Sequence, residues 1–204
     1  YSHLAFEHEG CDWAPYFNKQ GIALIVLKYR MPNGHWEVPV SDAEQAIRMV
    51  RQHAKEWNVN PYKVGLMGAS AGGHLTATLA THYNSETRPD FQILLYPVIS
   101  MVPGITHGGS RKNLLGDNPT KELEDAYSLE RRVSPRSPQA FIVLSADDGA
   151  VPPMNSIGYF LALNQQKVPV SMHIYPIGGH GWGFRDNFTY KRQWTEELEK
   201  WLRD

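Results

Sequence analysis

The chain has little of what would tie it to a membrane, to nucleic acid or to a disulfide framework. Its 204 residues include a single cysteine, so no internal disulfide can form, and a zinc site is not expected. The net charge is −1 and no long run of like charge occurs, which gives no electrostatic footprint for nucleic acid or an anionic membrane. The most apolar segments, Ile22 to Leu27 and Phe91 to Ile99, are too short to span a bilayer. The length of 204 residues and the 42% of apolar residues indicate a single domain with one sizeable core.

What the chain does contain is an alternation of apolar runs and helical stretches. Continuous apolar runs are typical of strands covered on both faces, as in a parallel sheet. Five runs are predicted as strands: Ala23–Leu27, Val64–Met67, Gln92–Tyr96, Ala140–Leu144 and Val170–Tyr175. Four stretches have helical spacing of apolar residues: Asp42–Trp57 with Ser41 or Asp42 as its cap, His74–His82, Asn155–Gln166 and Tyr190–Leu202. The alternation predicts one α/β domain over residues 1–204, with a mostly parallel sheet and helices on both faces.

One stretch, from about residue 102 to 138, interrupts this alternation. It contains glycines, prolines and many charges, with two short helical patches near Arg111–Leu115 and Thr120–Tyr127. Loops of this length usually carry function or are mobile. Both an insertion near a catalytic face and a plain surface excursion fit the pattern.

The most informative motif is Gly68-Ala69-Ser70-Ala71-Gly72, which lies between an apolar run and a helical run. In that strand-turn-helix context, G-x-S-x-G forms a nucleophile elbow. The tight turn strains the serine backbone, and we expect glycine on both sides because larger side chains would collide with strand and helix. The serine hydroxyl is then held at the positive end of a helix. The alternative is a glycine-rich turn that happens to contain serine.

A serine nucleophile needs a base and an acid that orients the base. In hydrolases built on this elbow, the acid comes next along the chain and the histidine last. Asp147 and Asp148 follow a predicted strand, and Asp148 stands three residues before Val151-Pro152, the spacing associated with such an acid loop. We therefore favour Asp148; Asp147 is the alternative, and both aspartates are also common loop-forming residues.

The histidine in the right place is His180, within Gly178-Gly179-His180-Gly181-Trp182-Gly183. It follows the last predicted strand, and the flanking glycines give the loop freedom to place an imidazole over the serine. His74, just after the elbow, is expected to pack or hydrogen-bond locally instead of acting as the base.

These motifs together resemble the bacterial α/β-hydrolase esterases related to acetylxylan and feruloyl esterases. Further matching segments are Ser41-Asp42-Ala43, Leu27-Lys28-Tyr29-Arg30-Met31-Pro32 and Ser110-Arg111-Lys112-Asn113-Leu114-Leu115-Gly116. The resemblance runs through essentially the whole chain. It implies an α/β-hydrolase fold and hydrolysis of carboxylic esters, often acetyl groups on plant polysaccharides or oligosaccharides, without a cofactor.

The chain departs from this family at its beginning. Members carry a Gly-rich motif at a strand end, before a Tyr-Ser-like pair, and its backbone N–H supplies half of the oxyanion hole. Here Tyr1-Ser2 opens the chain, so we expect that the first strands and this motif precede it. The oxyanion donor that can be named is the N–H of Ala71.

The resemblance favours a serine esterase with Ser70 as nucleophile, His180 as base and Asp148 as acid. A serine peptidase of the same fold and a non-catalytic binding protein are the alternatives. Three aromatic residues near the expected cleft, Trp182, Trp13 and Tyr16, are candidates for stacking on a sugar or feruloyl ring. Core packing is an equally common role for such residues.

Overall fold

Four short apolar segments form a parallel sheet whose carboxyl ends meet at one edge. The computed structural model describes residues 1–203, and within them the strand order is β1-β2-β3-β4. The strands are β1 (Leu66–Ala69), β2 (Phe91–Leu95), β3 (Gln139–Ser145) and β4 (Val170–Tyr175). In the register of the ladders, Ala69 faces Leu95, Leu95 faces Val143, and Ser145 faces Tyr175. The loops that carry Ser70, Asp148 and His180 therefore leave the sheet at the same edge.

Helices connect and cover these strands. They are α1 (Ala14–Lys19), α2 (Glu37–Gln52), α3 (Ser70–Thr81), α4 (Gly108–Leu115), α5 (Lys121–Ala126), α6 (Met154–Gln165) and α7 (Lys191–Arg203), with 3-10 turns at Cys11–Trp13 and Leu129–Arg131. Four predicted strands and all the predicted helices are present, with shifted ends. The predicted α/β class, with a parallel sheet and helices packed on it, is confirmed.

The central strands are covered on both faces. Ile93, Leu94 and Leu95 are each at most 2% exposed, and Ala140 through Leu144 are equally buried. Successive side chains of a strand point to opposite faces, so burial of consecutive residues requires packing on each side. Continuous apolarity in the sequence thus reflected the environment of β2 and β3 correctly.

The predicted strand Ala23–Leu27 does not form, and this prediction is wrong. The segment has no regular secondary structure, and within residues 1–203 no backbone group from Ala23 to Tyr29 bonds to another backbone group. Ile25 is 49% exposed, so the run is not covered as an inner strand would be. Apolar, β-branched composition favours an extended backbone, but a strand also needs a neighbour to complete its ladder. β1 is consequently an edge strand of the described sheet.

Helix α2 begins earlier than predicted, so neither Ser41 nor Asp42 is its cap. The helix starts at Glu37 and accommodates Pro39 in its first turn, where a missing N–H costs no helical bond. Asp42 instead accepts hydrogen bonds from Arg30, at 2.8 Å from its backbone N and at 2.7 Å from its Nη2. The carboxylate therefore joins the segment around Arg30 to α2.

The stretch from 102 to 138 packs on the body of the domain. Leu114 and Tyr127 are buried in the cluster around α2 and α3. Arg111 Nη2 donates to Glu124 Oε2 at 2.7 Å, which joins α4 to α5, and Asn155 Nδ2 of α6 donates to the carbonyl of Ile105 at 2.8 Å. The stretch is therefore built into the core.

Candidate active site

Ser70 lies on a sharp turn between β1 and α3. Its φ of +52° lies in the left-handed region, which is unusual for a non-glycine residue. A Cβ at Gly68 would lie 2.1 Å from the carbonyl oxygen of Gly72, and one at Gly73 would lie 2.7 Å from Pro97 Cβ. A side chain at Gly72 would meet nothing within 4 Å. The close approach thus requires glycine at positions 68 and 73, and the expectation that Gly72 is sterically required is wrong.

His180 hydrogen-bonds to Ser70 with one ring nitrogen and to Asp148 with the other. The distance from Nε2 to Ser70 Oγ is 2.8 Å, and from Nδ1 to Asp148 Oδ2 it is 2.7 Å. An ionised carboxylate can only accept, so the ring proton lies on Nδ1 and the lone pair of Nε2 faces the hydroxyl. That tautomer is the one in which the imidazole can take a proton from serine.

The two adjacent aspartates have different partners. Asp148 is 6% exposed; its Oδ2 accepts from His180, and its Oδ1 accepts from the N–H groups of Ala150 and Val151, each at 2.9 Å. These backbone donors fix the carboxylate and compensate for its burial. Of the two candidates, Asp148 is the residue that the structure brings to the imidazole.

Asp147 has a contact that the sequence did not indicate. Its Oδ1 accepts the N–H of Gly179 at 2.8 Å, and this bond is the main reason why the pKa of Asp147 is lowered. The carboxylate therefore tethers the loop next to His180. Its position directly before Asp148 was visible in the sequence, but its partner, 32 residues away, was not.

The N–H of Ala71 lies in the first turn of α3. The first N–H groups of a helix have no intrahelical partner and carry the positive end of the helix dipole. α3 spans twelve residues and begins at Ser70 itself. This N–H is thus available to an anion that forms on a group bonded to Ser70 Oγ.

The three aromatic candidates are packed to different extents. Trp182 is 4% exposed; its Nε1 donates to Ser145 Oγ at 3.1 Å, and its ring stacks on Phe188 with centroids 4.1 Å apart. Trp13 is 1% exposed and packs edge-on against Trp194, so the structure does not place it where a ligand could touch it.

Tyr16 is partly buried and packs against the core. Its hydroxyl donates to the carbonyl of Thr195 at 2.7 Å, and burial raises its pKa to about 12. Packing within the protein thus accounts for Trp13 and Tyr16 better than contact with a substrate. Trp182 packs on Phe188 and stabilises the loop that carries His180.

His74 is separate from the site. It is fully buried, with Nε2 2.9 Å from the carbonyl oxygen of Tyr127 and Nδ1 2.9 Å from the hydroxyl of Tyr1. Burial lowers its pKa to about 4. As expected, His74 packs and hydrogen-bonds away from Ser70, but its partners Tyr1 and Tyr127 are distant in the chain.

The described part of the chain has neither a metal-binding cluster nor a membrane-spanning helix. Among residues 1–203, no group of three or more His, Cys, Asp or Glu side chains is placed to hold a metal ion. The helices in that range include none whose length and apolarity would let it cross a bilayer.

Comparison with known proteins places this geometry in context. A family model described as the α/β-hydrolase fold matches residues 15–184. The acetylxylan esterase of Xylanibacter ruminicola is 44% identical over 207 residues, an alignment that takes in 100% of this chain and 43% of that protein. The endo-1,4-beta-xylanase B of Butyrivibrio fibrisolvens is 35% identical over 193 residues, which cover 87% of this chain and 30% of that protein. The chain thus spans less than half the length of these curated relatives.

Solved structures agree in fold. The acetyl ester-xyloside bifunctional hydrolase from Caldicellulosiruptor lactoaceticus superposes with a TM-score of 0.91 at 39% identity, covering 96% of this chain and 76% of that one. A sugar hydrolase from Lactococcus lactis superposes with a TM-score of 0.82 at 27% identity, covering 98% of this chain and 85% of that one.

Proposed function

The chain belongs to the α/β-hydrolase family, and from this membership we propose that it is a serine esterase that removes short acyl groups, acetyl above all, from carbohydrate. The observation that carries the proposal is the continuous chain of hydrogen bonds from Asp148 through His180 to Ser70. The chemistry is acyl transfer to serine, followed by hydrolysis.

In the first half-reaction, Ser70 Oγ attacks the ester carbonyl carbon while His180 Nε2 takes the hydroxyl proton. The carbonyl oxygen becomes an oxyanion, and the N–H of Ala71 donates to it at the positive end of α3. The tetrahedral intermediate collapses when His180 gives its proton to the departing alcohol oxygen. The products are a free sugar hydroxyl and an acyl group on Ser70.

In the second half-reaction, water takes the place of the alcohol. His180 Nε2 removes a proton from this water, whose oxygen attacks the acyl carbon. Collapse of the second tetrahedral intermediate returns the proton to Ser70 Oγ and releases the carboxylic acid. The enzyme returns to its starting protonation state.

Asp148 has an electrostatic and an orienting task in both halves. Its carboxylate holds the Nδ1–H tautomer of His180 and stabilises the imidazolium that forms when Nε2 is protonated. The N–H groups of Ala150 and Val151 keep the carboxylate in place. The acid can therefore stabilise positive charge on the ring without moving.

The acyl group and the alcohol are proposed from the relatives. The names of two of them, the acetylxylan esterase and the acetyl ester-xyloside hydrolase, state acetyl esters, and the former aligns with the whole of this chain. Acetylated xylo-oligosaccharide is the natural substrate class that this similarity favours.

A hydrolysis panel tests the proposal. It compares acetylated xylo-oligosaccharide, a feruloyl ester, p-nitrophenyl esters from acetyl to octanoyl, and a peptide anilide, each with wild type and with Ser70→Ala as the matched blank. We expect the highest kcat/KM on acetyl esters and none above the blank on the anilide. A preference for octanoyl esters would replace the proposed substrate class, and cleavage of the anilide alone would replace the esterase assignment.

A further inference from the structure

We propose that Tyr96 and Glu9 are positioning residues that hold the loop of His180 over Ser70, an inference that rests on the proposed function. Neither side chain is hydrogen-bonded to Ser70 or to Asp148. Tyr96 is hydrogen-bonded to Gly183 in the loop that carries the imidazole, and Glu9 is hydrogen-bonded to Tyr96.

The hydroxyl of Tyr96 links two distant segments of the chain. It donates to Glu9 Oε1 at 2.8 Å and accepts from the backbone N–H of Gly183 at 2.8 Å. Its one proton and an acceptor site are both used in these bonds. Glu9, near the start of the chain, is thereby connected to the residue three positions after His180.

The ring of Tyr96 also contacts the imidazole itself. The ring centroids of Tyr96 and His180 are 4.7 Å apart with planes at 62°, an edge-to-face arrangement. On its other side Tyr96 meets Trp182 at 4.7 Å, again edge-on. The side chain of Tyr96 therefore packs against both the imidazole of His180 and the ring of Trp182 in the same loop.

Tyr96 is held in an unusual backbone conformation to do this. It directly follows β2 at the carboxyl edge of the sheet, with a φ of +34° that non-glycine residues rarely adopt. Its own N–H donates to the carbonyl of Val143 at 2.7 Å, which locks the backbone. Such strain persists where the surrounding contacts over-determine it, and it clusters at functional sites.

The loop needs outside support because its backbone has little stiffness of its own. Gly179 and Gly181 flank His180 with φ of +60° and +78°, conformations that glycine leaves as freely as it enters. Asp147 tethers the loop before His180, through Gly179 N–H, and Tyr96 tethers it after His180, through Gly183 N–H.

The segment around Glu9 closes the second tether. The carbonyl of His8 accepts the N–H of Phe184 at 2.7 Å, and a Cβ at Gly183 would lie 2.3 Å from that same carbonyl oxygen. Residues 8 and 9 thus support the loop, His8 directly and Glu9 through Tyr96. A displacement of about 1 Å at a reacting group can cost roughly 10²-fold in rate, so loss of this support should lower kcat.

The test compares Tyr96→Phe with a matched control, Tyr159→Phe. Tyr159 is also fully buried, and its hydroxyl also donates to a side-chain oxygen, Gln92 Oε1 at 3.1 Å, which is not part of the site. Both variants lose one buried phenol hydroxyl and keep the ring. Tyr96→Phe removes two hydrogen bonds, one of them to a carboxylate, so its melting temperature should fall at least as far as that of Tyr159→Phe.

With p-nitrophenyl acetate we expect Tyr96→Phe to lower kcat by about 10- to 100-fold while KM stays within about twofold, because only the base is misplaced. Tyr159→Phe should leave kcat unchanged. Glu9→Gln, which keeps an acceptor oxygen, should retain more activity than Glu9→Ala. Equal kcat in the two tyrosine variants would overturn the positioning role.

A readout that needs no turnover separates this inference from the function on which it rests. The low-field proton resonance of His180 Nδ1–H reports its bond to Asp148, and we expect it to shift or broaden in Tyr96→Phe but not in Tyr159→Phe. If wild type hydrolyses no ester and the resonance still responds only to Tyr96→Phe, the function fails and the positioning stands. An unchanged resonance in Tyr96→Phe contradicts the positioning.

Discussion

His180 and His74 are two hydrogen-bonded imidazoles whose partners differ in charge and in exposure to water. Each ring has hydrogen bonds at both nitrogens. His74 lies between a phenol and a backbone carbonyl, both neutral, and is shut off from water. His180 lies between a carboxylate and a serine hydroxyl, with its side chain 23% exposed. The carboxylate is the decisive difference, because it gives a protonated ring a compensating charge.

The two environments therefore predict opposite consequences of mutation. At His74, burial without a counter-charge favours the neutral ring, and its bonds serve to join α3 to residues 1 and 127. In the proposed mechanism, the ring of His180 gains and loses a proton during each half-reaction. Mutation of His74 should therefore lower the free energy of unfolding, and mutation of His180 should lower kcat.

The largest expected effect comes from the reacting groups. Ser70→Ala and His180→Ala should each lower kcat by about 10⁴–10⁶-fold, because the members of such a unit act together. The free energy of unfolding should change by no more than about 1 kcal/mol for either. Steady-state kinetics and urea titration of the same preparations measure both. A His180→Ala enzyme with a tenth of the wild-type kcat would remove His180 from the mechanism.

The neighbouring aspartates give the next effect. Asp148→Asn should lower kcat by about 10³–10⁴-fold, since the amide no longer selects the Nδ1–H tautomer or stabilises the imidazolium. Asp147→Asn keeps an oxygen that can accept from Gly179 N–H and should cost less than about tenfold. Parallel kcat measurements decide between them, and equal losses would mean that the acid role is not specific to Asp148.

At the other histidine, the effect moves to stability. His74→Ala should lower the free energy of unfolding by about 2–4 kcal/mol, because it leaves a cavity and unpairs the hydroxyl of Tyr1 and the carbonyl of Tyr127. The kcat per folded molecule should stay within about threefold of wild type. Denaturant unfolding and active-site titration provide the two numbers. A stable His74→Ala protein with a low kcat would reverse the comparison.

The pH dependence of stability sharpens the same contrast. A folded-state pKa of about 4 for His74 lies below the unfolded value of 6.5, so the folded state binds its proton less readily. The contribution of the neutral His74 ring to the free energy of unfolding is fully present above pH 6.5. As the pH falls toward 4, this contribution is lost, and the total loss is about 3 kcal/mol. Unfolding free energies at pH 7 and pH 4 should therefore differ less in His74→Ala than in wild type. Equal differences in the two proteins would contradict the neutral, buried state of this ring.

The parts of the fold and site that could be predicted were those with a local signature. Ser70, Asp148 and His180 each follow a strand, and parallel strands bring their carboxyl ends to one edge whatever the loops do. The glycines beside His180 marked backbone conformations that few other residues adopt, and Gly68 marked a close approach of the chain to Gly72.

What could not be predicted depends on partners far away in the chain. Nothing in the run Ala23–Leu27 indicates whether a neighbouring strand is there to bond with it. The link from Glu9 through Tyr96 to Gly183 joins residues 87 positions apart twice over, and no spacing rule connects them. Trp13 was a candidate because of its position near the expected start of the cleft, but its ring is buried and packs against Trp194.

The most direct test of the central claim is covalent labelling of the nucleophile. Wild type, Ser70→Ala, His180→Ala and His74→Ala are treated with diethyl p-nitrophenyl phosphate, and the modified peptide is mapped by mass spectrometry. The account predicts one diethylphosphoryl group on Ser70 in wild type and His74→Ala, none in Ser70→Ala, and greatly slowed labelling in His180→Ala. Stoichiometric labelling at another residue, or equal labelling rates with and without His180, would contradict it.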